Sequence, residues 1–411
     1  MTDVDQNTND RLLSAPIGRR GVLKGALALG ALAAVPGLAA CASGSTTTGS
    51  SSASSGGTGA TTLNMLTWQG YHDQAWLDDF AKTTGITVNA ASVGSPAEMF
   101  AKVKANPNQF DVVLATAGWF EQYAQEKLLA PIETDRVTAF NDIKLGFDWK
   151  KATTVDGNLY GVLYNWGNQP LAWLDGAIPK DGSMDKYLND QGEPDDWNIL
   201  WDPAFAKKVS LFDDPTSVMP MVPLALGMSD PFHLSDDQMK QMAEKLNALR
   251  PQVPRLTSGY DDQTQQLAKG EATIAYLNII TVQSALAKNG KKLLVNNTVK
   301  QGVPSWSDNY AITNAGNDKK DAVYKFINAT LQVPWQARFI AASGNNGTLD
   351  YGQATSSDAA SAGLTKDALA TTLIPATQEG EKLWPKLIFF QAVEDLDKRL
   401  QLWNEFKLGV S

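Results

Sequence analysis

Few groups in this sequence could make or break covalent bonds. There is one thiol, Cys41, and there are two imidazoles, His72 and His233, among 411 residues. A lone thiol forms no internal disulfide. It serves as a small buried hydrophobe, a nucleophile, or a point of covalent attachment. A Ser-His-Asp triad would have to use His72 or His233, which lie in different segments without a recognisable catalytic setting. Both read as surface or cap residues. The sequence has no G-x-S-x-G elbow and no H-E-x-x-H pair. Paired carboxylates for glycoside hydrolysis are not excluded by counting, because Asp and Glu together number 44. The aromatic content stands out instead: 12 Trp residues, a surplus of the kind that lines binding clefts. No catalytic residue, metal site or cofactor is assigned.

The setting of Cys41 selects among its possible roles. Arg19 and Arg20 precede an apolar run from Gly25 to Ala40, interrupted by Pro36. The paired arginines look like a twin-arginine export signal, and the run is too short to span a bilayer comfortably. Leu38-Ala39-Ala40-Cys41 is similar to the bacterial lipobox, in which the cysteine is lipidated and the preceding peptide removed. The alternatives are an N-terminal transmembrane helix and an accidental match. Residues 1–40 are therefore expected to be a signal peptide and Cys41 a lipid attachment site. Residues 41–61 are rich in Ser, Thr and Gly and read as a disordered tether, with a reach of about 25 Å. The folded body is placed outside the cytoplasm, held at a membrane through Cys41.

From Thr62 onward, strand and helix patterns alternate. "TLNMLTW", "ITVNAAS" and "FDVVLAT" read as strands. "HDQAWLDDFAKTTG" reads as a helix with Trp76, Leu77 and Phe80 on one face. "SPAEMFAKVKAN" is a second helix, with Ser95, Pro96 and Glu98 forming a capping box, and "FEQYAQEKLL" a third. "YGVLYNWG", "KKVSLF" and "GVPSWSDNYAI" read as further strands, and Ser235 caps a helix running to Pro251. The C-terminal remainder reads as mostly helical. Such alternation argues an α/β fold with mostly parallel sheets flanked by helices. Ligands of these sheets bind beyond the carboxyl ends of the strands. The length allows two domains, and the net charge of −9 with no basic stripe excludes nucleic acid as a partner.

The order of lipobox, tether, "LTWQGYHDQAWLDDFAKTTGITV", "FDVVLAT", "LYGVLYNWG", "LFDD", "LAKGEATIAYLN", "SWSDNYAI" and "DAVYKFINATL" resembles bacterial extracellular solute-binding proteins, in particular the spermidine/putrescine-binding branch of ABC importers. The resemblance runs from about residue 62 to about residue 350. It implies a two-lobed periplasmic-binding-protein type II fold with ligand trapped between the lobes. Lobe 1 would comprise residues 63–166 and 306–348, and lobe 2 residues 167–305 and 349–411. It further implies a monomer that is not an enzyme and hands a small polyamine-like solute to an ABC permease and its ATPase. Carried over residue by residue, the ligand contacts fall on Trp68, Tyr71, Thr116, Asp214, Trp306 and Asp308. Trp119 stands beside Gly118, where the family has an aromatic. The family's second acid falls on Ser217, an expected Trp near Asn278, and an expected Tyr near Asn345. A smaller amine, or a sugar or opine with hydroxyls, suits these polar replacements. Other readings stay open for several positions. Trp68 also suits a core, Asp308 a local cap, Asp214 a turn, and Trp166 hinge packing. The rival classes are a secreted hydrolase and an adhesive lipoprotein without an interlobe cleft.

Overall fold

A computed structural model describes residues 61–278, 281–393 and 395–410. Cys41, the export signal and nearly all of the tether expected before Thr62 lie outside the described residues. Two mixed α/β sheets are flanked by helices. The first has the strand order Leu387–Phe389, Val303–Thr313, Val112–Thr116, Thr61–Trp68, Ile86–Val93. Thr61–Trp68 runs parallel to both its neighbours, while Val303–Thr313 is antiparallel to Val112–Thr116 and to Val162–Asn168. The second sheet has the order Leu256–Thr257, Val209–Phe212, Ile274–Tyr276, Leu171–Leu174, Leu293–Asn296. The chain crosses between the sheets at 169–170 and returns at 297–302.

Local chemistry explains where the elements begin and end. Helix Gln74–Thr84 starts at Asp73, whose carboxylate accepts from the Ala75 N–H. It stops at Gly85, which takes the left-handed conformation at φ 72°. Leu77 and Phe80 are buried along its inner stripe. Ser95 caps helix Pro96–Ala105 by accepting from the Glu98 N–H. The return half of the expected box is displaced by one residue, since the Glu98 carboxylate accepts from the Gly94 N–H. Ser235 and Gln238 make a full reciprocal box at helix Asp236–Asn247.

Apolar cores cover both faces of each sheet. Helices Gln74–Thr84, Lys320–Thr330 and Val333–Ser343 pack on one face of the first sheet, and helix Pro96–Ala105 with Phe120 and Tyr123 on the other. The tail does not behave as one piece. Leu349, Ala354, Ala359, Leu364, Leu369 and Ile374 join the first sheet's core, whereas Trp403 and Phe406 join the second's. Between them, Leu387–Phe389 adds an unanticipated edge strand to the first sheet. Residues 349–369, expected in the second lobe, contribute their buried side chains to the first sheet's core, while Leu373 joins the second's. Among the described residues no helix is long and apolar enough to cross a membrane.

Candidate functional site

Strands Thr61–Trp68, Ile86–Val93, Val112–Thr116 and Val209–Phe212 all end on one open cleft of about 630 Å³. This is where side chains beyond the carboxyl ends of parallel strands converge. The cleft is lined from the first sheet's side by Trp68, Tyr71, Thr116, Trp306, Asp308 and Asn345, and from the second's by Asp214, Ser217 and Asn278.

Asp308 sits at its floor. In the ladder it lies opposite Thr116 on one side and Asn165 on the other. Thr116 Oγ1 donates to one carboxylate oxygen at 2.6 Å and the Tyr71 hydroxyl donates to the other at 2.8 Å. The residue is 4% exposed, and among the described residues no cation pairs with it. Loss of hydration raises its pKa to about 7, and the two hydroxyl donors only partly oppose that. Burial, together with the neighbouring Asp308 charge, raises the Tyr71 hydroxyl well above its ordinary range, so Tyr71 acts as a neutral donor.

The aromatic contacts are held from behind. Trp68 Nε1 donates to the Leu114 carbonyl at 2.9 Å, fixing a half-buried indole at the rim. Trp306 pairs with Gly167 across the ladder, and its ring lies over that glycine. A Cβ at Gly167 would come within 2.4 Å of the indole, so only glycine fits there. Trp306 packs with Ala117, Phe232 and Phe390.

On the other wall, Asp214 caps the short helix Pro215–Val218. Its Oδ1 accepts from the Thr216 N–H and hydroxyl, and its Oδ2 accepts from the Ser217 hydroxyl at 2.7 Å. The turn reading and the cleft position therefore hold together. Asn278 reaches the cleft with its N–H bonded to Gln263 Oε1. Asn345 is 3% exposed, and its side-chain oxygen has no hydrogen-bond partner.

Trp119 stands outside the lining of this cleft but lines a smaller pocket that adjoins it, with Thr116, Ser217 and Phe390 common to both. Gly118 turns the chain at φ 93°, and Trp119 is sent back into the core against Phe100. The space beside Gly118 is taken by the tail, since a Cβ there would meet the Gln391 carbonyl at 3.0 Å. Phe390, from the same tail segment, lines the cleft. His72 is also placed differently from expectation. Its ring stacks on Tyr164 and lies 2.8 Å from the Tyr310 hydroxyl, and burial lowers its pKa to about 3. It is a half-buried neutral group packed among aromatic rings. Trp166 is fully buried, and His233 is exposed beside Asp230. Sequence reasoning missed Tyr260, Asp261 and Phe390 at the cleft. The one local signal was "SGYDD", a glycine-led aromatic–acid run of the kind that starts a helix at a surface. Among the described residues, no group of three or more His, Cys, Asp or Glu is arranged to hold a metal ion.

Residues 75–382 match the family described as bacterial extracellular solute-binding protein. The chain belongs to that family. Its members are transport components, and this solute-binding protein is the extracytoplasmic substrate-binding component of an ABC transporter, not an enzyme. It is 29% identical over 272 residues to the spermidine/putrescine-binding periplasmic protein 1 of Haemophilus influenzae, covering 66% of this chain and 70% of that one. In fold it is similar to the spermidine/putrescine substrate-binding protein PotD of Streptococcus pneumoniae, with TM-score 0.63 and 18% identity over 85% of this chain and all of that one. It is also similar to MotA of A. tumefaciens, solved in complex with glucopine, with TM-score 0.60 and 16% identity over 84% and 99% of the two chains.

Proposed function

We propose that this solute-binding protein captures a small cationic amine between its two lobes and delivers it to the permease and ATPase of an importer. Asp308 carries the reading: a buried carboxylate that no cation pairs with among the described residues, on the lining of a solvent-connected cleft. An ammonium entering the cleft offsets the cost of burying that charge, and the carboxylate replaces part of the ammonium's lost hydration. Trp68 and Trp306 offer ring faces to the methylenes and to the cation, at about 0.5–2 kcal/mol per good contact. Asp214, Ser217 and Asn278 approach from the second wall, so a ligand touching both walls shifts the population toward a closed form. The polyamine named for the H. influenzae relative supports this ligand class.

A thermal-shift panel of polyamines, monoamines, sugars and opines tests the reading. Amines are expected to raise the melting temperature and sugars to leave it unchanged. A shift with hydroxylated ligands alone would transfer the site to the second reading, which the unpartnered Asn345 oxygen favours. We further propose that Cys41 carries lipid and anchors the protein to the membrane. Mass spectrometry of membrane-extracted protein is expected to find a mature chain beginning at acylated Cys41; an unmodified thiol there would remove the anchor.

A further inference from the structure

Behind the floor of the cleft lies a polar side chain that the binding site as described does not use. In the antiparallel ladder of Val303–Thr313 with Val162–Asn168, Asp308 stands opposite Asn165, and the next pair is Asn309 with Leu163. Tyr164 is therefore an extra residue, a β-bulge beside the acid, and such bulges re-aim side chains next to binding sites. Directly opposed residues share a face, with Cβ atoms about 4.5–5.5 Å apart. Asn165 thus lies alongside Asp308, on the same face as Trp306. It is fully buried and outside the lining of the cleft.

Neither polar atom of the Asn165 side chain has a hydrogen-bond partner among the described residues. A buried amide in that state costs stability, and leucine would fill similar space without the cost. What it stands beside gives it a use. The Tyr71 hydroxyl donates to Asp308 at 2.8 Å. Burial, then the Asp308 charge, raises the Tyr71 pKa, and the Asn165 amide opposes them. The amide is therefore within reach of the Tyr71 oxygen, although no hydrogen bond of ordinary geometry joins the two. A hydroxyl that accepts a hydrogen bond donates a stronger one. The titratable groups around the carboxylate are few. Tyr71 is neutral, and Tyr164 behind it is held neutral by burial. His72 turns to Tyr310, and Asp213, Asp214, Asp261 and Asp262 line the far wall.

We propose that Asn165 is a positioning residue for the Asp308 carboxylate: its amide N–H turns onto the Tyr71 oxygen when Asp308 is charged and strengthens the hydrogen bond that Tyr71 donates. This rests on the reading that Asp308 meets an ammonium as a carboxylate. The neutral acid draws little on the relay, whereas the charged form draws on both of its bonds. Asn165 thereby favours the form of Asp308 that binds, without touching the ligand.

Calorimetric titration of the full chain with butylamine, from about pH 5 to about pH 9, tests the assignment, since the amine stays mostly protonated over that range. In Asn165→Leu the midpoint of the affinity profile is expected about one pH unit above that of the wild-type protein. Binding at about pH 6 is then about tenfold weaker, and the difference closes towards pH 9. Asn165→Ala, which adds no bulk, is expected to shift the midpoint in the same direction and serves if the leucine variant does not fold. Tyr71→Phe removes the relay, so adding Asn165→Leu to it should leave the midpoint where Tyr71→Phe alone puts it. A merely structural role would weaken binding equally at every pH. That result, an unmoved midpoint in a folded variant, or additive shifts in the double variant overturns the assignment while the amine reading stands. Failure of the wild-type protein to bind any amine overturns both.

Discussion

Asp308→Asn is expected to weaken binding of a cationic amine by about 2 kcal/mol or more, roughly thirtyfold in Kd, and yet to stabilise the ligand-free protein above neutral pH. The two effects have one cause. Among the described residues the carboxylate is held by two hydroxyl donors and by no cation, so in the empty cleft its charge is a cost and in the occupied cleft an asset. Its folded pKa of about 7 lies above the ordinary value of 3.8. The folded state therefore holds the proton more tightly than the unfolded chain. The contribution of this group is fully present below pH 3.8 and is lost as pH rises through 7. The loss levels off at a magnitude on the order of 4 kcal/mol. Asparagine has the same shape and an acceptor for one hydroxyl but no charge. The melting temperature of the variant minus that of the wild-type protein should therefore be near zero or negative at about pH 4, rise with pH, and level off above about pH 7. His72 acts in the opposite direction. Its pKa falls from 6.5 to about 3, so its contribution declines as pH drops through that window. It is present in both proteins and cancels in the difference. A difference that stays flat with pH would show that Asp308 is not a buried charge. Unchanged amine affinity would remove it from the site.

Amine affinity is expected to rise as pH increases from about 5 to about 7, by about tenfold per unit, and to level off at higher pH. An alkylammonium stays protonated throughout, with a pKa of about 10, so the change belongs to the protein. Below pH 7 the cleft holds a neutral carboxylic acid, which must release its proton before it can pair with the ligand. Calorimetry at about pH 6 in two buffers of different ionisation enthalpy should find nearly one proton released per ligand, and at about pH 8 almost none. In Asp308→Asn the release should vanish. A pH-independent affinity, or release that persists in the variant, would place the titrating group elsewhere. The same behaviour would make capture weaker in acidic surroundings.

The sequence by itself determined the local grammar of this protein. Asp73, Ser95 and Ser235 mark helix starts because their side chains satisfy N–H groups that a helix leaves open, and Gly85 marks a stop because it adopts a positive φ without strain. The continuous apolar run of "FDVVLAT" reads as a strand covered on both faces, and Val112–Thr116 is buried throughout. Trp68 and Thr116 were legible as site candidates because each ends a parallel strand, where the fold leaves an opening.

Tertiary structure decided what depends on partners distant in the chain. Asp308 became a buried, unpaired acid through Thr116 and Tyr71, which lie 192 and 237 residues away. Trp119 packs against Phe100 and faces a small pocket beside the cleft, because a positive φ at Gly118 turned the chain and the tail filled the space beside it. The tail itself was divided between two cores, since its short apolar segments carry no period long enough to say which sheet they cover. Asp213, Asp214, Asp261 and Asp262 are chemically alike in sequence. The placement of Trp403, Lys407, Ser217 and Arg255 answers the other three, and among the described residues no cation pairs with Asp261. A side chain's type is a local property, but whether its charge is already answered depends on what the fold brings beside it.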